Sequence, residues 1–418
     1  MFNLNKTLKI MKKLLIGLAF FMVGMNTINA QDTWTSKAGY FGGNIFSAAS
    51  FSINNKIYVG TGNISEDIPK KEFWEFDPAN NTWTQKAEFA GTARYGTVGF
   101  AINGKGYIFG GVDNQLWEYN PALDAWTQKA SLPNEDGLFY FDAAGFVIGN
   151  KAYIGTGWSL SSGQFKNKKD LWEYNPLTDS WTPKSDFPAS ARYAAAAFAI
   201  GGYGYMGLGA DGFNVYQDFY KYDPIADNWS AIANLGGEGR YFSSSFALGS
   251  KAYVGLGLTA NVNLKKDLWE YNPINNTWAQ KADFPGIERL HAVGVATSTH
   301  GYMGMGVIPG PTPPEGIDTS DFWQFSPMSL GIQENDLNNI FSLYPNPFVD
   351  KTNLHTNSIM KDATISIYNS NGQLVREIKH ISGQDIAIYR DKFPIGLYLI
   401  CLKEDNKIIT TKKTMIID

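Results

Sequence analysis

One aromatic motif recurs along the chain about every fifty residues, which is the period of propeller or solenoid repeats. In each complete copy an aromatic segment ends in Asp-Pro or Asn-Pro, and a tryptophan follows seven residues after the last aromatic. Complete copies occupy residues 73–83, 116–126, 171–181, 219–229 and 268–278. A sixth copy, FWQFSP from Phe322, ends without its tryptophan, while Trp34 near the other end of the chain has none of the preceding motif. A last repeat completed by the N-terminal segment predicts a closed ring.

Each repeat predicts four β-strands. A run of small residues such as RYAAAAFAI precedes a tight turn, and a second strand such as KAYIGTG, the aromatic strand and the tryptophan strand follow. Small side chains suit the crowded strand nearest a propeller axis, and stacking around the axis buries sheet faces that one sheet cannot bury alone. We therefore predict an all-β fold with six four-stranded sheets over residues 31–327, closed by a strand at residues 32–38. The tryptophans are assigned to the core between sheets.

The end of strand two and the aromatics of strand three carry a family resemblance. The Tyr-x-x-Gly-Gly-like pattern, the strand-three aromatic and the tryptophan seven residues further resemble the kelch repeat, which implies a six-bladed kelch-type β-propeller. Only Gly110-Gly111 forms a true pair, and in the other repeats the first glycine is displaced by one place. The retained second glycines are predicted to need a positive φ. They are Gly62, Gly157, Gly209, Gly257 and Gly306.

The first thirty residues read as a secretory signal peptide. Lys12 and Lys13 precede an apolar run at residues 14–23, and the small residue Ala30 precedes Gln31. Such a run is shorter than the roughly twenty residues that a membrane-spanning helix needs. We expect residues 1–30 to be removed and predict no transmembrane segment.

The last eighty residues read as a second domain. Residues 328–340 are polar and irregular and are interpreted as a linker, and short alternating strands follow over residues 341–418, typical of a small β-sandwich. YPNPF, IYNSNGQLV and GLYLICLKEDNKIITTKK resemble, in order, the C-terminal sorting domain of type IX secretion cargo in Bacteroidetes. The resemblance implies an Ig-like domain and passage through the periplasm to the surface or the medium by the type IX machinery. Release and surface attachment both stay open.

Charge and cysteine usage narrow the partners. Without residues 1–30 the chain keeps 35 − 4 = 31 basic and 39 acidic side chains, a net charge of −8. A surface of that sign repels nucleic acid. Kelch propellers also occur in copper oxidases of the galactose oxidase type, but the cysteine that they need is absent, since Cys401 is the one cysteine and lies in the sorting domain. We expect a monomer without metal or cofactor.

The sharpest candidate site is a set of residues at one position of the repeat. An arginine stands eleven residues before strand two in four repeats, with tyrosine in the third repeat and Ile45 in the first. Ring closure would gather these side chains at the channel mouth, where arginines bind carboxylates in bidentate fashion. The candidate residues are Arg94, Tyr95, Tyr140, Arg192, Tyr193, Arg240, Tyr241, Arg289 and His291. Alternatively, the arginines bond backbone carbonyls or the acids that open strand three. Those acids are Glu72, Asp170, Asp218, Asp267 and Asp321.

These features favour a secreted or cell-surface binding module for an extracellular protein or a glycan. One alternative is a mutarotase or epimerase acting on a sugar acid at the arginine-lined mouth, because exported bacterial kelch propellers include sialic acid mutarotases. A second alternative is a structural or adhesive surface protein without a small ligand. The sequence names neither the ligand nor a catalytic residue.

Overall fold

The computed structural model describes residues 32–64, 67–133, 139–161, 164–310, 316–327, 341–369, 374–404 and 407–417. The predicted signal peptide and the predicted linker lie outside these residues. All regular structure in the described residues is β-strand, and none of it is a helix that could cross a membrane. The chain divides into two compact units, one spanning Gln31–Met328 and the other containing Ser329–Asp418.

The first unit contains six four-stranded antiparallel sheets among its described residues, here numbered 1 to 6 along the chain. Sheet 1 has the strands Ala49–Ile53, Lys56–Gly60, Phe73–Asp77 and Thr82–Gln85. Sheet 2 has Thr97–Ile102, Lys105–Gly110, Leu116–Asn120 and Ala125–Lys129, and sheet 3 has Ala144–Ile148, Lys151–Gly155, Leu171–Asn175 and Ser180–Lys184. Sheet 4 has Ala196–Ile200, Tyr203–Gly207, Phe219–Asp223 and Asn228–Ala231, and sheet 5 has Ser244–Leu248, Lys251–Gly255, Leu268–Asn272 and Thr277–Lys281. Sheet 6 has Val293–Ala296, Gly301–Pro309, Gly316–Ser326 and, from the N-terminal end, Thr33–Lys37.

Two short pairs of strands lie outside the six sheets. Trp158–Ser161 pairs with Gln164–Asn167, and Arg240–Tyr241 pairs with Leu258–Thr259. The first pair lies between the second and third strands of sheet 3, and the second pair joins the segment before the first strand of sheet 5 to the segment after its second strand.

The N-terminal strand closes the ring as predicted. Thr33–Lys37 pairs antiparallel with Gly316–Ser326, and Trp34 lies opposite Phe325. In every sheet a tryptophan indole N–H donates to a main-chain carbonyl of the preceding sheet, over 2.8 to 3.0 Å. The pairs are Trp34 with Ala282, Trp83 with Ala38, Trp126 with Ala87, Trp181 with Ala130, Trp229 with Ser185 and Trp278 with Ala233. Trp34 therefore supplies the link that sheet 6 would otherwise lack.

A second cycle of hydrogen bonds lies at the innermost edge of the sheets. One residue at the entry to each first strand has a positive φ, between 50° and 63°. Its amide donates to the carbonyl of the equivalent residue in the preceding sheet, over 2.9 to 3.3 Å. These six residues, here called the axial ring, are Ser47, Gly96, Asp142, Ala194, Phe242 and His291. The ring of amides is complete, so each sheet is tied to both neighbours at the axis.

The retained glycines adopt the predicted positive φ, between 88° and 96°. The Gly62 amide also donates to the Arg94 carbonyl of the next sheet over 2.8 Å, and a Cβ at Gly62 would meet Phe46 O and Ile45 at 2.9 Å. The residue before each of these glycines is left-handed too, with φ between 57° and 61°, although it carries a side chain. These residues are Thr61, Thr156, Leu208, Leu256 and Met305. They are fully buried, so packing offsets the roughly 1–2 kcal/mol that the left-handed conformation costs.

The second unit is one five-stranded sheet around a single apolar core. Its strands are Phe341–Tyr344, Lys351–Asn369, Leu374–Tyr389, Gly396–Glu404 and Lys407–Ile416. Two of them are longer than the short strands expected from the sequence, and they join what was expected as separate segments. Irregular register near Met360 and Ala363 interrupts the pairing between these long strands. Leu354, Ile365 and Leu402 are fully buried in the core.

Candidate functional site

A small pocket opens at the axis of the first unit, and the axial ring lines it. Its volume is about 130 Å³. Each ring residue contributes together with the residue that follows it, and five of those six following residues are alanine or serine. They are Ala48, Thr97, Ala143, Ala195, Ser243 and Ala292. The small-residue strands predicted to face the axis therefore leave room for a ligand group at one end of it.

Two ionisable side chains with strongly shifted pKa values face this pocket. Asp142 accepts a hydrogen bond from the indole N–H of Trp158 at 3.3 Å, and burial raises the pKa of its carboxyl to about 7. His291 shares a hydrogen bond of 2.6 Å between its Nδ1 and Ser47 Oγ, and its ring lies 3.7 Å from that of Phe242. Burial lowers the pKa of His291 to about 3, so its imidazole is neutral at physiological pH.

The pocket has an acid but no opposite charge. Of the described residues that line it, none is a lysine or an arginine, and Asp142 is the one carboxylic acid among them. Burial without a cationic partner disfavours the ionised form, which is why the pKa of Asp142 rises rather than falls.

Aromatic side chains surround the mouth. The residue before each axial-ring residue is aromatic in five sheets, and all five side chains are partly exposed. This aromatic rim consists of Phe46, Tyr95, Phe141, Tyr193 and Tyr241. The rings of Tyr95 and Phe141 have centroids 4.8 Å apart, and those of Tyr193 and Tyr241 are 6.1 Å apart. Phe46, Phe141 and Tyr193 are fixed by isolated backbone bridges to residues that follow the second strands.

The rim extends outward over sheet 3 as an aromatic platform. Trp158, whose backbone bridges to Phe141, places its ring 4.9 Å from that side chain. Phe165 lies 5.0 Å further along from Trp158 and is 76% exposed. Trp158 thus belongs to the platform through its ring and contacts the pocket through its indole N–H, which donates to Asp142.

The four predicted arginines do not face the mouth, and this corrects the sequence-based site. Each is at most 1% exposed and bonds an aspartate with both terminal nitrogens. The pairs are Arg94 with Asp113, Arg192 with Asp218, Arg240 with Asp267 and Arg289 with Asp321. Each also donates to a main-chain carbonyl sixteen residues further along, such as Arg192 to Leu208 O at 3.0 Å. The alternative stated above, bonding to acids and carbonyls, describes these side chains.

Tyr140 replaces the arginine in sheet 3 and is a second correction. It is 3% exposed and donates its hydroxyl to Asp170 Oδ2 at 2.5 Å, so it lies inside the same structural cluster rather than at the mouth. Tyr95, Tyr193, Tyr241 and His291, by contrast, do lie at the rim or in the pocket. The site that the structure brings together is therefore offset by one or two residues from the arginine position.

Two residues of the site were missed in the sequence, although each carries a signal. Asp142 is the one acid at the axial-ring position, and it was passed over because the other repeats show no shared chemistry there. Trp158 is the one tryptophan outside the two tryptophan positions of the repeat, and it lies in the aromatic platform between Phe141 and Phe165 rather than in the core between sheets. In both cases the departure from the repeat was the informative feature.

Comparisons with known proteins agree with this architecture. The family model described as the KLHDC2/KLHL20/DRC7 Kelch-repeats domain matches residues 55–257, and the Secretion system C-terminal sorting domain matches residues 342–418. A solved structure entitled "Structure of YjhT" has 16% sequence identity and a TM-score of 0.56, and the match covers 68% of this chain and 96% of that one. At that identity the match shows the fold alone. No curated protein matches the chain.

The sorting domain indicates handling by the type IX secretion system and export to the cell surface or the extracellular space. The sequence repeats, the six four-stranded sheets and the family match together show that the first unit has a kelch propeller fold. The chain is a kelch-repeat β-propeller protein that carries a type IX secretion C-terminal sorting domain.

Proposed function

We propose that the propeller is an extracellular carbohydrate-binding module whose ligand ends in the axial pocket and lies along the aromatic platform. The observation that carries the proposal is the continuous run from Asp142 through Phe141 and Trp158 to Phe165. Sugar rings have apolar faces that stack on aromatic side chains and hydroxyls that need polar partners. A polar pocket beside an aromatic surface offers both.

The size of the pocket limits what enters it. A volume of about 130 Å³ is close to the roughly 150 Å³ of a cavity that holds one benzene ring. A pyranose with its hydroxyl groups is larger than benzene, so the pocket takes one substituent or one edge of a sugar ring. The ring itself would lie on the rim, and further rings of an oligosaccharide would follow the platform toward Phe165.

Phe165 gives the cleanest test, because its exposure makes it dispensable for folding. The protein and its Phe165→Ala variant are screened against immobilised oligosaccharides, with Phe41→Ala as the matched control. Phe41 is equally exposed, at 76%, and is not part of the platform. We expect Phe165→Ala to weaken oligosaccharide binding about 10-fold or more, from about 1.5 kcal/mol of lost stacking, with no effect of the control.

The screen also separates the competing functions. Oligosaccharide binding that both variants leave unchanged would place the ligand away from the platform and contradict the proposed site. No carbohydrate binding at all would favour a protein ligand or an adhesive role without a small ligand.

A second candidate, a sugar mutarotase, is favoured by one observation. The pKa of Asp142 lies at about 7, where a carboxyl can both give and take a proton, and the neutral imidazole of His291 faces the same pocket. The four arginines are engaged by aspartates, so this geometry favours reducing sugars without an acid group over sugar acids. Mutarotation followed by polarimetry tests it: acceleration lost in Asp142→Asn supports catalysis, and a rate equal to that of buffer excludes it for the sugars used.

A further inference from the structure

The charge of the axial pocket points to a more specific ligand, if the proposed carbohydrate function holds. We infer that the ligand group entering the axial pocket is an ammonium, so that the glycan recognised is one that contains amino sugars with free amines. The inference depends on the proposed site and adds the chemical class of the group that the site selects.

The carboxyl group of Asp142 has no cation beside it among the described residues that line the pocket. Asp142 faces the pocket, its Oδ2 has the Trp158 indole as its hydrogen-bond partner, and the described lining residues include no lysine or arginine. A carboxylate held away from water without a cation is costly, and a ligand cation would remove that cost on binding. The aspartates of the four arginine clusters already hold a cation, whereas Asp142 is the one acid among the described residues that line the pocket. Inside the pocket, Asp142 is therefore the group that would select for positive charge.

The aromatic side chains around Asp142 also favour a cationic ligand group. A cation is attracted to the faces of Phe, Tyr and Trp rings within about 6 Å, and several aromatic rings around one acid are typical of ammonium recognition. Phe242 lines the pocket itself, and Phe141 and Trp158 stand beside Asp142. A neutral hydroxymethyl group would gain nothing from these ring faces beyond apolar contact.

The size of the axial pocket and its neutral lining also suit an ammonium group. The pocket accepts a single substituent, and an ammonium on a sugar ring is small enough for it. The neutral imidazole of His291 does not repel a cation, and Ser47, bonded to that imidazole, supplies an oxygen close by. Acetylation of the amine would remove the positive charge and would also enlarge the group. We therefore expect it to weaken binding for both reasons.

The ionisation of Asp142 gives the site a pH dependence with a definite sign. The titratable groups facing it are His291 of sheet 6, Tyr95 of sheet 2 and Tyr193 of sheet 4. Burial lowers the pKa of His291 to about 3 and raises the pKa of both tyrosines, so all three stay neutral between pH 5 and 7. The negative charges of two further acids also raise these pKa values, Asp67 that of Tyr95 and Asp211 that of Tyr193. Since an acid with a pKa of about 7 is protonated at pH 5, ammonium binding should strengthen from pH 5 to pH 7.

The test is calorimetric titration of the full protein with three probes. They are the trisaccharide of glucosamine, the trisaccharide of N-acetylglucosamine, and Nα-acetyl-lysine amide, which carries an ammonium without a sugar. The variant is Asp142→Asn, with Asp186→Asn, an exposed acid outside the pocket, as the charge-matched control. Ser243→Leu fills the pocket while Asp142 stays in place, and it serves as the second variant if Asp142→Asn does not fold.

We expect the glucosamine trimer to bind at pH 7 and to bind about 10-fold more weakly at pH 5. Asp142→Asn should weaken it about 30-fold or more, the effect of removing one partner of a desolvated charge pair, and Ser243→Leu should block it. The acetylated trimer should bind at least about 10-fold more weakly, and Asp186→Asn should change nothing.

Other outcomes overturn distinct parts of the account. Equal binding of both trimers, unaffected by Asp142→Asn, overturns the ammonium inference and leaves the carbohydrate module in place. Binding of the lysine probe alone, dependent on Asp142, overturns the carbohydrate ligand and assigns the site to a protein. Binding of none of the three, with no other carbohydrate bound, overturns both proposals.

Discussion

Two positions of the repeat lie two residues apart and behave in opposite ways. At the first, four sheets carry an arginine that is buried and bonded to an aspartate. At the second, the axial ring, six sheets carry Ser, Gly, Asp, Ala, Phe and His, and their side chains face a pocket. At each of the two positions the backbone makes the same inter-sheet hydrogen bonds in all six sheets. Only the side chains differ.

The two positions show which residues of a repeat protein are free to serve a function. A side chain repeated in register meets the same neighbours in every sheet, so it is suited to holding sheets together. A position where the backbone repeats and the side chain does not is free to build a site, because only the axis brings the different residues together. Asp142 and Trp158 are both departures of this kind.

The largest expected effect is the loss of a repeated arginine. Arg192→Ala leaves Asp218 without its cation and the Leu208 carbonyl without a donor, and it removes the guanidinium that lies 3.9 Å from the Tyr216 ring centroid. We expect the free energy of unfolding to fall by about 3 to 5 kcal/mol, measured by urea denaturation. Lys265→Ala, which breaks the more exposed pair with Glu238, is the control and should cost less than about 1 kcal/mol.

If Arg192→Ala unfolded at the same urea concentration as the unaltered protein but no longer bound its ligand, Arg192 would be a binding residue. The arginine position and the axial ring would then not differ in role as described here.

A smaller effect is expected at the ring-closing tryptophan. Trp34 packs 5.4 Å from Phe284 and 5.0 Å from Phe325, and its indole bonds Ala282. Because these contacts match those of the other five tryptophans, Trp34→Ala and Trp181→Ala should lower the free energy of unfolding equally, by about 2 to 4 kcal/mol each for partly exposed rings. A much smaller loss for Trp34→Ala would mean that the N-terminal strand adds little to the closure.

The smallest effect concerns an axial-ring residue and has the opposite sign. The folded-state pKa of Asp142 is about 7 against 3.8 for an ordinary aspartate, so the folded protein holds a proton that the unfolded chain gives up. The contribution of this carboxyl to stability is therefore greatest below pH 4 and is lost as pH rises through 7. The difference between pKa values of about 7 and 3.8 corresponds to roughly 4 kcal/mol, which solvent screening reduces because Asp142 is half-buried at the pocket. Asp142→Asn should therefore raise stability by about 1 to 2 kcal/mol at pH 8 and by less at pH 5, in thermal melts.

A melt in which Asp142→Asn destabilises the protein at both pH values would show that the carboxylate is a structural group, like the aspartates paired with arginine. The site would then lose its principal polar member.

The strands were predictable because the repeat fixes them. The turn residues between the first two strands, the proline after each third strand and the incomplete sixth copy together predicted the sheets and the closing strand, which the structure has at Thr33–Lys37. The arginines were ambiguous, because a residue repeated in register fits a ring of ligand groups and a ring of internal bonds equally well. Burial, which distinguishes these two, depends on where the acids fall after folding.

The partners of the arginines were predicted only where they shared a register. Asp218, Asp267 and Asp321 stand at the predicted start of the third strands and were among the candidate acids, whereas Asp113 lies in a shorter loop and was not. The pocket itself could not be derived from the sequence. It is assembled from one non-repeated residue of each sheet, and residues far apart in the chain, such as Ser47 and His291, meet there only through closure of the ring.

The most direct test of the account is a crystal structure of the protein with the glucosamine trisaccharide. We expect a ligand nitrogen within hydrogen-bonding distance of Asp142 and a sugar ring on Phe141 or Trp158. No ligand atom should be bonded to Arg94, Arg192, Arg240 or Arg289. A ligand bound to one of those guanidinium groups, with its aspartate displaced and the axial pocket holding only water, would contradict this expectation.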